Sequence, residues 1–332
     1  MLAAGCIFLL ASCNSEKKTE TTETTAAKKN LESAQTIAKA FQTGDVSMVD
    51  SVVAADFVDH TDRGDVIGRD SLKSIIKMVQ NMQMKMSVIK EMANETHVFQ
   101  WLHFTGTSDG KMGMPAGPYD FTEIELVRFQ DGKAVEHWAL MEPRAMMKMM
   151  PGSPSDTSVK YDPAVPNAAN KESAGMSTEK SKKNLDAMHA IANMFSTGDF
   201  SKLADYMAED VVDWGAEKSP NKGLANVKAD LEKATQNMSD MKSEVIQEVA
   251  DDEFAMSWMK FTGTMKTDGM GMKAGQSYTT SAIEVARFNA DSKCVEHWTF
   301  VEMREMMKMM GGMQGTGSTN MPPPPPRKDS VR

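Results

Sequence analysis

Cysteine is scarce in this chain. Of three cysteines in 332 residues, Cys6 and Cys13 stand at the extreme N-terminus and only Cys294 falls within the body of the sequence. A lone thiol makes no internal disulfide, so folding rests on apolar burial, and Cys294 reads as a small apolar residue of a strand. Clustered basic residues are also missing, and the net charge of −9 argues against a nucleic-acid partner held through phosphates. No apolar run reaches the roughly 18 residues that a membrane-crossing helix needs. A Gly-rich phosphate loop and a His/Asp ligand cluster are both lacking, so no metal or nucleotide cofactor is implied.

What the chain has is a repeat. Val135-Glu136-His137-Trp138 with Glu142 returns as Val295-Glu296-His297-Trp298 with Glu302, and Met-Met-Lys-Met-Met follows each copy at 146–150 and 306–310. Phe41-Gln42-Thr43-Gly44-Asp45 returns as Phe195-Ser196-Thr197-Gly198-Asp199, 154 positions on, and Phe104-Thr105-Gly106-Thr107 as Phe261-Thr262-Gly263-Thr264, 157 positions on. The tetrapeptide itself is offset by 160. A slow drift through single loop insertions marks two diverged copies of one domain.

Leu2 to Leu10 is a short apolar run, followed by Leu10-Ala11-Ser12-Cys13 and then polar residues. This is the shape of a secretory segment, and Leu-Ala-Ser-Cys resembles the lipobox of bacterial lipoproteins. The resemblance implies cleavage after residue 13's neighbour Ser12, lipidation of Cys13, and anchoring to the bacterial cell envelope. Residues 14–27 carry Thr, Glu and Lys and are expected to form a disordered tether.

The first domain is expected over 28–150. Leu31, Ala34, Ile37, Ala38 and Phe41 have helical spacing, Val46 to Ala55 reads as a second helix, and Asp70 or Ser71 is placed to cap a third that ends at Val79. The period then changes to two: the Met82–Val88, His97–Thr107, Tyr119–Phe129 and Lys133–Met141 runs predict an antiparallel meander. Helices followed by a meander give an α+β fold with helices on one face of a sheet. Residues 151–177 read as a linker spanning about 30 Å as a flexible coil, 178–311 as the second domain, and 312–332 as a disordered Pro-rich tail.

The Asp56–His60, Phe104–Thr107 and Met112–Gly117 stretches, with Asp131-Gly132-Lys133-Ala134-Val135-Glu136-His137-Trp138, are similar to SnoaL-like polyketide cyclases of the nuclear transport factor 2-like superfamily. The resemblance covers most of both repeats. It implies two tandem cones of helices on a curved sheet, each with an internal pocket, and an acid/base carboxylate four residues after the tryptophan: Glu142, with Glu302 in the second copy. It also implies a pocket-lining histidine at His60.

Alternation places Glu136, Trp138, Leu140 and Glu142 on one strand face, where partial desolvation would raise the Glu142 pKa; a solvated acid at a strand end is the plain alternative. His97, Phe99, Trp101 and His103 share another face that suits either a flat apolar ligand or ordinary core. Trp101, His103, Trp138, Trp258, Trp298 and Glu302 are thus the ligand-binding candidates, with Glu142 and His60 the catalytic ones. His137 and His297 point the opposite way and are assigned a structural role at a domain or dimer contact. By the local offsets His60 becomes Trp214 and His103 becomes Lys260, so the first copy is the better candidate for chemistry.

The 32 methionines raise Cu(I) binding by thioethers, most plainly at Met112-x-Met114 and Met270-x-Met272, against the simpler reading of core and pocket lining. The leading expectation is binding of a small hydrophobic carbonyl or ester compound, with cyclase or isomerase chemistry in the first domain. A non-catalytic binding module with paired domains, within or between chains, is the alternative, and a methionine-based metal carrier is the third.

Overall fold

In the computed structural model, residues 16–62, 64–80, 84–110, 116–149, 161, 163–175, 177–215, 220–269, 272–302 and 304–305 are described. The lipobox with Cys13, Met82, Met112, Met114, Met270, the second methionine block and the 312–332 tail lie outside them.

The first half runs α1 (Glu16–Thr43), α2 (Val49–Val52), β1 (Val53–Thr61), β2 (Gly64–Ile67), α3 (Arg69–Val79), β3 (Lys85–Ala93), β4 (His97–Ser108), β5 (Gly117–Gln130), β6 (Lys133–Met141) and α4 (Pro143–Met149). A short strand β7 (Glu172–Ala174) leads into the second half. There α5 (Glu179–Thr197), α6 (Leu203–Tyr206), β8 (Met207–Asp213), β9 (Asn221–Lys222), α7 (Leu224–Gln236), β10 (Met238–Ala250), β11 (Phe254–Met265), β12 (Ser277–Phe288) and β13 (Cys294–Glu302) repeat the order. The fold is α+β, two tandem cones of helices on curved sheet.

Four local expectations change. Helix α1 starts within the stretch read as a tether, and Ala27 is fully buried against the sheet: alanine needs little partner surface and is the best helix former, so it ties the Thr-, Glu- and Lys-containing run before it to the fold. Most of 46–55 is not helical, since the β-branched Val52-Val53 pair passes into β1, which pairs parallel with β6. The linker is partly structured: β7 pairs parallel with β3, and Tyr161 is buried. Helix α3 starts at Gly68 with no side-chain cap, whereas Thr178 caps α5 in a full capping box.

Within each half the helices cover one sheet face. Leu31, Ala34, Ile76 and Phe57 pack there on Val98, Val127 and Phe129, and Met188, Leu203 and Val227 do the same on Ala255, Ala286 and Phe288. The other faces bury each other. Phe99, Trp101, Ile124, Leu126 and Leu140 of the first half form one core with Phe254, Met256, Ile283, Trp298 and Phe300 of the second. All five tryptophans lie in or against this core.

Strands β6 and β13 join antiparallel through Val301/Met141 and Glu302/Leu140, making one continuous sheet. Trp101 meets Trp298 at 4.9 Å between ring centroids, and Trp138 meets Trp258 at 5.0 Å. Since Trp258 is the repeat of Trp101 and Trp298 of Trp138, each contact is the other's image. The two halves are related by a local twofold.

Candidate acid–base site inside the first cone

Register decides which side chains face the cone. Paired residues of an antiparallel ladder share a face, so Glu125 opposite Ala139, Val127 opposite His137, and Glu123 opposite Met141 lie with Val127 on the helix side. Asp59, beside His137 in the parallel β1/β6 pair, joins them. Thr122, Ile124, Leu126, Trp138 and Leu140 face the other half. Histidine and tryptophan of the repeated motif therefore do point oppositely, but the histidine is the one inside the cone.

His137 is held at both ring nitrogens. Nδ1 lies 2.8 Å from Asp59 Oδ1, and Nε2 contacts Glu125 Oε2 closely. Burial alone would lower its pKa, yet the Glu125 and Asp59 charges and hydrogen bonds raise it well above the usual histidine value. It is an imidazolium between two carboxylates.

Glu123 is the residue left over. It has no hydrogen-bond partner among the described residues, and burial first, then the Glu125 charge, pushes its carboxyl well above the ordinary range against the pull of His137. Burial and the neighbouring Glu125 thus favour the protonated form of Glu123. The cluster is half-buried: His137 and Glu125 keep 21% and 22% of their side-chain surface accessible. Apolar residues lead away from it: Leu102, Phe104, Phe121 and Met141 pack with Met84, Met86, Val88 and Tyr119, the three methionines here serving as wall.

The second cone keeps the frame and loses the acid. His297 Nδ1 is 3.0 Å from Asp213, Nε2 is 2.9 Å from Glu284, and Thr299 donates to Glu284 at 2.7 Å. Ala282 stands where Glu123 does, and Thr299 where Ala139 does. Burial opposes charge on His297, but Asp213 and Glu284 raise its pKa to about 10. A separate surface cleft of about 460 Å³ between α5 and β10 shares no residue with this cluster, and its His189 and Ser196 are paired with Glu248 and Ser243.

The residues nominated from sequence fall elsewhere. Glu142 is buried, and burial raises its pKa as its strand-end position suggests, with the Thr122 and Tyr161 hydrogen bonds and Arg144 pulling it back. It lies on the side of the sheet away from the cone: Thr122 Oγ1 donates to it at 2.5 Å and Tyr161 of the linker at 2.9 Å. Glu302 accepts from Ser281 at 2.8 Å on the corresponding face.

His60 stacks on Trp138 at 4.7 Å and bonds Asp65 at 3.0 Å, again outside the cone. His103 bonds Asp120 at 2.7 Å on that face. Trp101, Trp138, Trp258 and Trp298 fill the contact between the halves rather than a pocket. Alternation had grouped these residues correctly, but with both faces of the sheet buried it carries no sign of which face is inner. One signal in the sequence did mark the inner face: Asp59, Glu125 and His137 all recur in the second copy, as Asp213, Glu284 and His297, while buried strands rarely alternate glutamates without cause.

With the geometry in hand, comparison with known families is decisive. The model of the SnoaL-like polyketide cyclase family matches residues 32–149 and again residues 185–309, well over half of the chain. The chain belongs to this family. A comparison with the curated proteins finds no match.

Among solved structures, a SnoaL-like polyketide cyclase from Agrobacterium tumefaciens is 19% identical, covering 41% of this chain and 100% of its own, with a TM-score of 0.35. TsrD from Streptomyces laurentii is 14% identical, over 40% of this chain and 97% of its own, at 0.36. A LEH-like epoxide hydrolase from M. tuberculosis is 13% identical, over 40% and 89%, at 0.33. The two regions matched by the family model are two copies of the domain in one chain.

Proposed function

We propose that the first SnoaL-like domain binds a small, largely apolar carbonyl or ester compound and moves protons on it, and that the second domain is its non-catalytic partner. The observation that carries this reading is Glu123. Its carboxyl, unpaired among the described residues and pushed above the ordinary range by burial and the Glu125 charge, stands beside a histidine held at both ring nitrogens by Asp59 and Glu125, at the end of an apolar wall.

The charge balance narrows the ligand. Asp59, Glu125 and His137 together carry one net negative charge, so an anionic ligand group is repelled, whereas a neutral carbonyl oxygen accepts a hydrogen bond from Glu123. Protonation of that oxygen by Glu123, with loss of the α-proton to the carboxylate of Glu125, gives the enol. Return of the proton at a different atom gives isomerisation, and attack of the enol carbon on a second carbonyl of the same molecule gives a cyclised product. Both reactions leave the enzyme's protons in balance. No cofactor enters this account.

The accompanying proposal for place is that Cys13 carries a lipid and holds the domains at the envelope membrane, as the Leu-Ala-Ser-Cys resemblance implies. Mass spectrometry of compounds that co-purify with the protein identifies the ligand, and deuterium uptake at its α-carbon from D₂O reads the chemistry. The expected result is uptake that Glu123→Gln abolishes while ligand affinity is kept. Uptake unchanged in Glu123→Gln, or supported by the second domain alone, contradicts the reading.

A further inference from the structure

Several polar contacts cross the joint between the halves, among them Arg144 to the Trp214 carbonyl and Arg304 to the Thr61 carbonyl and Asp65, and two of the others are images of each other in place but not in chemistry. Lys90 and Gln247 are repeat equivalents: Lys90 pairs in register with Trp101 and Gln247 with Trp258, each directly after a bulge. Asn94 and Asp251 are equivalents too. Each opens the hairpin turn of its half, with its Oδ1 accepting two backbone N–H groups: Thr96 and His97 at 2.9 and 2.8 Å for Asn94, Glu253 and Phe254 at 2.8 and 2.7 Å for Asp251.

At one end of the joint Lys90 Nζ donates closely to Asp251 Oδ2. Lys90 is completely buried and Asp251 nearly so, and the linker seals the pair through Ser173 Oγ, 2.6 Å from Asp251, and the Asn170 carbonyl, 2.6 Å from Lys90. At the other end Asn94 Nδ2 donates to Gln247 Oε1 at 3.1 Å and to the Glu248 carbonyl at 3.1 Å. One position is an ion pair, and its twofold mate is a neutral amide pair.

From this asymmetry we propose that the joint is a recognition surface that accepts only the unlike half, and that it rejects pairing of a first domain with another first domain or a second with a second. The tryptophan contacts of the joint do not discriminate, because tryptophan meets tryptophan in every combination. The polar positions do. Two first domains would bury two copies of Lys90 against Asn94. Since Asn94 Oδ1 is held by the turn, the amide NH₂ would face the ammonium, donor against cation. Two second domains would bury two copies of Asp251 against Gln247, each carboxylate without a cation. Only the unlike pairing leaves no uncompensated buried charge, and such a charge is among the most unfavourable things an interface can contain.

The test uses the full-length protein with a site-specific protease sequence inserted between residues 150 and 160. The folded protein is cut, the halves are left to exchange, and native mass spectrometry counts like and unlike pairs. The cut wild-type sequence is expected to stay entirely unlike-paired. Lys90→Gln with Asp251→Asn makes both positions amide pairs and is expected to lose the selectivity, so that like pairs appear.

A second variant moves the ion pair to the other end: Lys90→Gln, Asn94→Asp, Gln247→Lys and Asp251→Asn together. It is expected to restore unlike pairing, and it decides the matter if the double variant fails to fold. Like pairs or free halves in the wild type, strict unlike pairing in the double variant, or like pairing in the quadruple variant would each overturn the proposal.

Discussion

Glu123 of the first domain and Ala282 of the second occupy the same register position, each two residues before the glutamate that takes the histidine Nε2. Around that difference, and the Thr299 that replaces Ala139, the two cones keep the same Asp–His–Glu frame. One half places a carboxyl beside the frame and the other a methyl group.

Stability should record the Glu123 acid as well as activity does. Its folded pKa lies above its unfolded value, so over that interval the folded state holds more protons and stability falls as pH rises above the ordinary glutamate range. Glu123→Gln should flatten this fall without lowering stability at acid pH. Denaturant melts across the pH range, compared between the two proteins, provide the check. An unchanged pH slope would show that Glu123 ionises normally.

The frame in the second cone gives a second fall of the same sign. His297 is raised to about 10, so the stability it contributes is fully present below its unfolded pKa, about 6.5, and is lost as pH rises through 10. His297→Gln should be less stable than the wild type near neutrality and should approach it above that range. Thermal melts at neutral and strongly alkaline pH test this, and a constant difference would remove the imidazolium from the account.

The sequence made the repeat, the α+β class and the strands legible, β6 to the residue. The site was less legible for a physical reason. Alternation sorts side chains into two faces, and the inner one is usually the apolar one. Here Trp101, Leu126 and Leu140 on the outer face are as buried as Val98, Val127 and Phe129 on the inner, because the second domain covers them. Glu142 and the tryptophans thus had the composition of a pocket while lying at a domain joint. The start of α1 was hidden by its polarity.

Removing a tryptophan from the joint should uncouple the halves. Trp101 is fully buried against Trp298, Phe254 and Phe300, so Trp101→Ala should cost roughly 3–5 kcal/mol. Calorimetry should then show the two domains melting separately where the wild type melts as one unit. A single transition with little loss would mean that the joint contributes little.

Lys90 makes a sharper prediction at the same surface. Lys90→Met leaves Asp251 buried without its cation and should cost roughly 3–5 kcal/mol, whereas adding Asp251→Asn should recover a large part of that loss. Burial pushes Asp251 up, but the bonds from Lys90, Ser173 and the Phe254 N–H hold it below the usual carboxylate range. Its contribution is therefore present above the unfolded aspartate pKa and lost as pH falls through the folded value. A double-mutant cycle by chemical denaturation measures the coupling, and strict additivity would contradict it.

Carbon-13 NMR of the glutamate side-chain carboxyls tests most directly whether the first cone holds a protonated acid. The account predicts a carboxyl resonance that remains in the protonated position at neutral pH, titrates only well above the ordinary range, and is missing from Glu123→Gln while present in Glu142→Gln. If the resonance lost in Glu123→Gln is already that of a carboxylate at neutral pH, the first cone has no acid to give.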